Sequence, residues 1–249
     1  MKAKGDNNIS LESYEKKLQN ERRDSKKGLS IAEDILKLNL INNLIIDERG
    51  NPPSPLRHVG RGARGELWFR NKLLWLRTIP LEDDISFMIT HSEAPAYYKG
   101  KRGANRADLL GIWHSGGNTK LGVIELKAGV RGDHVLYAIM EGLRNLYLHR
   151  NAIKRLHSGW SMALNQCHEG GWSNAWSSSN PFNNRLGNSH LIIIGDGSWI
   201  GMQENWKNEA KEITEKIKII FNYETSIYSL NDCEHYSKPY VLLPLTKWL

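Results

Sequence analysis

Cysteine is scarce in this chain of 249 residues, which holds only Cys167 and Cys233. Two thiols cannot build a disulfide-dense scaffold or a four-thiolate zinc site. Long hydrophobic runs are missing too. Stretches such as Leu191 to Ile194 and Val241 to Leu243 are far too short to span a bilayer. The first twenty residues hold no apolar segment, which predicts no secretory signal. No Walker A sequence occurs, so an ATP-driven motor would have to be another chain. No internal repeat is evident. The expectation is a protein of the reducing cytoplasm with no membrane partner.

What is present is ordinary globular composition with a basic excess. Lys and Arg number 34 against 27 Asp and Glu, a formal charge of +7. That balance suits a polyanionic partner, but solubility alone would also account for it. Residues 1–58 read as a helical and polar N-terminal extension. They begin as a loose terminus with one short helix from Leu11 to Gln19. A packed helix follows through Ile31, Ile35, Leu38 and Leu40, with Ser30 as its N-cap. Asp47 to Pro55 is a turn-rich connector.

Residues 59–249 read as one α/β domain. Arg64 to Leu76 is predicted as a helix, with Ala63, Leu67 and Leu74 in one stripe and Phe69 and Leu73 beside it. Pro80 ends that element. Strands are expected at Ile85 to Thr90, Arg106 to His114 and Lys120 to Ala128. Ser115-Gly116-Gly117-Asn118 joins the last two as a hairpin. Asp133 to Arg150 is a helix with Val135, Ile139, Leu143 and Leu146 facing the core. His157 to Asn188, rich in Trp, Gly, Ser and Asn, reads as an inserted loop. The run Leu191 to Ile194 is a strand buried on both faces. A helix over about Gln203 to Ile219 and short strands at Thr225 to Leu230 and Tyr240 to Leu243 complete a central mixed β-sheet flanked by helices.

The chemistry concentrates in Arg106-Ala107-Asp108 and, across the hairpin, Glu125-Leu126-Lys127. An antiparallel hairpin returns Glu125 beside Asp108. Glu125 and Lys127, two apart, share one sheet face, while Ile124 and Leu126 point the other way. Two carboxylates offer hard oxygen ligands suited to Mg²⁺ or Mn²⁺. A lysine beside them can neutralise charge on a phosphate and position water. The alternating charges of a solvated sheet edge would also produce Glu-x-Lys.

Asp108 with Glu125-Leu126-Lys127 resembles the PD-(D/E)xK nuclease superfamily, whose fold is the restriction-endonuclease-like core. The resemblance covers roughly residues 60–200 and rests on Asp108, Glu125 and Lys127. It implies that Asp108 and Glu125 bind Mg²⁺ (or Mn²⁺), that the Leu126 carbonyl completes the shell, and that Lys127 belongs to the catalytic set. Glu66, on the preceding helix, matches by position an acid that often joins the metal site. It can equally be a solvated helix charge. Ala107 stands where the family pattern has proline, and the cysteine cluster of some exonuclease branches is missing. The implied activity is a metal-dependent phosphodiester hydrolase, a DNA endonuclease leaving 5′-phosphates. A homodimer suits such a substrate, since two strands need two cuts. A catalytically silent nucleic-acid-binding protein with the same fold, or an unrelated interaction module, is the alternative.

Basic residues bracket these acids. Arg57, Arg61, Arg64, Arg70, Lys72 and Arg77 surround Glu66, and Lys99, Lys101, Arg102 and Arg106 precede Asp108. Arg61, Arg64, Lys101, Arg102 and Arg106 are the expected nucleic-acid contacts. Trp160, Trp172 and Trp176 suit base stacking and core packing equally. Glu141, two residues from both Ile139 and Leu143, reads as a helix-surface charge, with a contact to Lys127 as the alternative. His114 and His134 lie near the motif without a clear role.

Overall fold

The computed structural model describes residues 9–47, 65–99, 105–129, 133–169, 180–182, 186–230 and 245–249. Two helices open the chain, α1 (Leu11–Asn20) and α2 (Ser25–Lys37). A capping box at Ser10 and Ser13 starts α1, and Asp24 caps α2 by accepting the Lys27 amide at 3.1 Å. The second helix thus begins five residues before the expected cap at Ser30. Asp24 and Ser30 are both acceptable caps, and burial of Gly28 and Leu29 against the core carries the helix back to the earlier one. Far from being loose, α1 and α2 bury Leu11, Leu18, Leu29, Ala32 and Ile35 in the main core.

Helix α3 (Gly65–Leu76) then leads into four antiparallel strands: β1 (Thr78–Glu82), β2 (Ile85–Ala96), β3 (Asn105–Ser115) and β4 (Asn118–Lys127). The strand β1 was not foreseen. Pro80 does not end α3, which stops at Leu76 before Arg77 takes a positive φ; it sits in an edge strand, where a missing amide is tolerated. Gly116 and Gly117 take positive φ and form the expected hairpin turn. Helices α4 (Val135–Asn151) and α5 (Ile153–Glu169) cross over to β5 (His190–Asp196), parallel to β4. Helix α6 (Gly197–Met202), a 3-10 turn (Glu204–Trp206) and α7 (Lys207–Phe221) cross over to β6 (Glu224–Leu230), parallel to β5. The short β7 (Leu245–Lys247) closes the order antiparallel to β6.

The seven strands lie in chain order. The result is a mixed α/β fold with a mixed sheet flanked by helices, as expected. The sheet curls until its ends meet: Glu82 of β1 accepts from Tyr228 of β6 at 2.8 Å and from Lys247 of β7 at 3.0 Å. Strand β5 alternates as a doubly buried strand should. Leu191 and Ile193 join the core beneath α4 and α7, while Ile192 and Ile194 join the core beneath α3. Among the described side chains of α3 the buried apolar ones are Phe69, Leu73 and Leu74.

The loop expected from His157 is helix as far as Glu169, because α5 continues after a brief break at Ala152. Its Trp160 is buried against Phe182 at 5.7 Å between ring centroids, which settles its role as core. Trp172, Trp176 and the expected strand Tyr240 to Leu243 lie outside the described residues. Asp196 does more than mark a strand end. Its Oδ1 caps α6 by accepting the Trp199 amide at 2.7 Å, and its Oδ2 accepts the Gly129 amide at 2.8 Å, tying the exit of β4 to the exit of β5.

Helix α4 is the element that fixes the centre of the sheet. Val135, Ile139, Leu143 and Leu146 are all fully buried, as their spacing predicts. Gly142 lets the helix approach closely. A Cβ there would stand 2.5 Å from Leu191 Cδ1 and 2.9 Å from Glu125 Cγ. Gly142→Val is therefore expected to destabilise the fold by about 1–3 kcal/mol through overpacking. Urea denaturation reads this directly, with Gly201→Val, which meets open space, as the control.

Candidate active site at the end of the central strand

Strand β4 is fourth of seven, with β3 on one side and β5 on the other. The β3–β4 register runs from Ser115 with Asn118 to Leu109 with Ile124, which leaves Asp108 and Glu125 just beyond its last pair. Glu125 and Lys127 lie on the sheet face that α4 covers, with Leu121 and Val123, while Asp108 reaches toward Arg70 of α3. Asp108, Glu125 and Lys127 are thus brought together as the sequence predicts. Asp108 Oδ2 accepts the Leu126 amide at 2.8 Å, locking the two strand ends to each other.

Each charged group has a partner. Glu125 is buried, and its Oε1 accepts from Asn145 Nδ2 at 2.8 Å. The same Asn145 nitrogen donates to the Arg106 carbonyl at 3.1 Å, so one amide of α4 clamps both strands. Asp108 Oδ1 faces Arg70 Nη1 at 3.3 Å, and that guanidinium also pairs with Glu93 at 2.9 Å. Lys127 Nζ donates to Glu141 Oε2 at 2.9 Å. Glu141 is therefore a partner of the lysine and not simply a surface charge. Arg70, read from sequence among the basic residues around Glu66, is buried and spends its charge on Asp108 and Glu93.

Desolvation sets the electrostatics. Burial pushes Glu125 well above the usual carboxylate range, and the nearby charges of Asp108 and Glu141 push it further; Lys127 and Asn145 pull back. Burial also raises Asp108, against the opposing pull of the Leu126 amide, Lys127 and Arg70. Burial alone would lower Lys127, but Glu141, Glu125, Glu66 and Asp108 outweigh it and leave the amine raised. It is an ammonium throughout the physiological range. Glu66 is exposed on the first turn of α3. The protein around it still raises it, as do Asp108 and Glu141, while Lys127 draws it down.

The donor chemistry fits a hard divalent cation. Asp108 and Glu125 supply oxygen only, and their mutual repulsion is the imbalance a cation would relieve. Mg²⁺ commonly takes one or two carboxylates and keeps several waters, so this pair suffices. Among the described residues, no three His, Cys, Asp or Glu side chains gather as a metal-binding group, so Glu66 does not close a cage with the pair.

The other expected residues divide. Arg106 is exposed, with its Nη1 near the Glu93 carbonyl at 3.4 Å. Arg61, Arg64, Lys101 and Arg102 lie outside the described residues. His134 is a structural residue: it caps α4 by accepting the Tyr137 amide, bonds the Leu18 carbonyl at 2.6 Å and stacks on Trp206. Burial lowers His114, which lies on β3 beyond the hairpin's centre. Asn145, Arg144 and Glu93 were missed by sequence reasoning. For Asn145 a signal existed, since a polar residue next to Leu146 in a core-facing helix needs a buried partner. Arg144 and Glu93 gave no comparable sign. Compared with protein-family models, curated proteins and solved structures, the chain gives no match. Among the described residues no helix is long and apolar enough to cross a membrane.

A carboxylate raised on folding binds its proton more tightly in the folded state. Its favourable contribution is complete below the unfolded value of roughly 4.3 and is lost as pH rises through the folded value. Glu125→Gln is thus expected to raise the thermal midpoint at neutral pH, and the advantage should shrink on acidification. Mg²⁺ should raise the midpoint of the wild type and not that of Glu125→Gln. Calorimetry across pH, with and without the metal, checks both.

Proposed function

We propose that this chain is a metal-dependent nuclease that hydrolyses phosphodiester bonds, with DNA as substrate and internal cleavage as its mode. The observation that carries the reading is the meeting of Asp108, Glu125 and a fully charged Lys127 at the end of one central strand. The resemblance to the PD-(D/E)xK superfamily supports it. So does the element order: a helix, a strand meander bearing the acids, a helix and a parallel strand. The restriction-endonuclease-like core belongs to the same proposal, as does a homodimer for cutting two strands.

In this reading Asp108 and Glu125 hold Mg²⁺ or Mn²⁺, aided by the Leu126 carbonyl. A metal held there would supply polarisation of the phosphate and a more acidic water. Lys127 supplies fixed positive charge. Because its amine is raised, it does not serve as a base; it orients the water and stabilises charge growing on the phosphate oxygens. Water oxygen adds to phosphorus, the bond to O3′ breaks, and the products are a 5′-phosphate and a 3′-hydroxyl. The water's proton passes to solvent, and the departing O3′ takes one from solvent. Exposed Glu66 stands at the edge of this site and acts through charge. Arg106, with Arg61, Arg64, Lys101 and Arg102, would meet the phosphate backbone and make binding salt-dependent.

One feature favours a second reading, a catalytically silent nucleic-acid-binding protein. Arg70 already sits on Asp108 and Glu141 already sits on Lys127. A single assay separates the two readings. Purified protein with Mn²⁺ and supercoiled plasmid is expected to nick and linearise it, and Asp108→Ala and Lys127→Ala should each lose at least about 100-fold in rate. Plasmid binding without cleavage by the wild type would establish the silent protein instead.

A further inference from the structure

We infer that Glu15, on the N-terminal helix α1, is a positioning residue for Lys127, acting through Arg144 and Glu141. The inference rests on the nuclease reading for its catalytic meaning, but its geometry stands apart from that reading. Four side chains of alternating charge form a continuous path. Lys127 Nζ meets Glu141 Oε2 at 2.9 Å; Glu141 Oε1 lies 3.9 Å from Arg144 Nη2; Arg144 Nη1 meets Glu15 Oε1 at 2.5 Å. The path crosses three elements, from β4 through α4 to α1. Side-chain exposure is 7% at Lys127, 6% at Arg144 and 8% at Glu15, against 23% at Glu141 between them, so solvent screens the two ends of the path little.

Stability alone is a poor explanation for such an arrangement. Desolvating two charges commonly costs as much as their attraction returns, and a well-packed apolar pair serves a core as well or better. What the path does accomplish is orientation. Arg144 attracts one oxygen of Glu141 across 3.9 Å, longer than a hydrogen bond, and so favours the orientation that turns the other toward Lys127. Without Glu15, Arg144 would be an uncompensated buried cation, free to draw Glu141 away from the lysine. Helix α1 is itself fixed at several points, so Glu15 is a rigid end to the path. The Leu18 carbonyl bonds His134 Nε2, Gln19 Nε2 donates to Asp133 at 3.1 Å, and Tyr98 donates to Glu12. The helix that precedes the sheet by more than fifty residues thereby becomes part of the site's support.

The test is Glu15→Gln, which keeps the side chain's size and removes its charge. With plasmid and Mn²⁺, kcat should fall on the order of tenfold or more while KM stays as in the wild type, because a misplaced Lys127 weakens the transition state and not substrate binding. Arg144→Lys should reproduce the same split. Unchanged kcat in folded Glu15→Gln would overturn the inference. A second measurement is independent of cleavage. In a urea-denaturation cycle, Glu15→Gln and Lys127→Met should shift stability non-additively, since each acts on the other through Glu141 and Arg144. Additive shifts would overturn the inference even if the wild type cuts nothing, and non-additive shifts with an inactive wild type would leave the path intact while removing the nuclease reading.

Discussion

Everything near the end of β4 follows from the difficulty of burying charge. A carboxylate or ammonium removed from water is tolerated only with a close partner. Glu125 and Lys127 are both buried on the central strand, and the surroundings answer each in turn. Asn145 serves Glu125, Glu141 serves Lys127, Arg70 serves Asp108, and Arg144 with Glu15 completes the balance on the far side. The helix α4 supplies three of these partners from a single polar edge, spaced so that Glu141, Arg144 and Asn145 lie within about one turn. Its close approach at Gly142 is what brings that edge within reach.

The fold places this cluster at a change of strand direction. Strands β2, β3 and β4 run antiparallel by hairpins, whereas β4, β5 and β6 run parallel through helical crossovers. Crossover connections leave the carboxyl end of β4 without a hairpin to cover it. Gly129 and Asp196 bridge the two parallel exits there. Ligands in open α/β sheets favour crevices outside the carboxyl ends of parallel strands, and the cluster occupies that kind of position.

Much of this was legible in the sequence. The period-two placement of Glu125 and Lys127 and the glycine turn before them determine a shared face and a hairpin return. The four-residue spacing on α4 likewise identifies its buried side. What was not legible depends on tertiary contact. Ser30 and Asp24 are both acceptable caps, and only packing of α2 on its neighbours selects the earlier one. Trp160 sits among Gly, Ser and Asn in a segment without clear period, yet Phe182 and His91 enclose it. Arg70 looks like any basic helix residue until β2 and β3 bring Glu93 and Asp108 to it. Glu15 is more distant still, since nothing local to an amphipathic first helix tells which acid will meet a buried arginine 129 positions later.

The curl of the sheet has a consequence for association. Its two outer strands are short, five residues in β1 and three in β7, and Glu82 joins them through Tyr228 and Lys247. Among the described residues these two outer strands then offer little unpaired backbone for another chain to extend. Strand exchange and edge-to-edge stacking are the routes to aggregation that this closure disfavours.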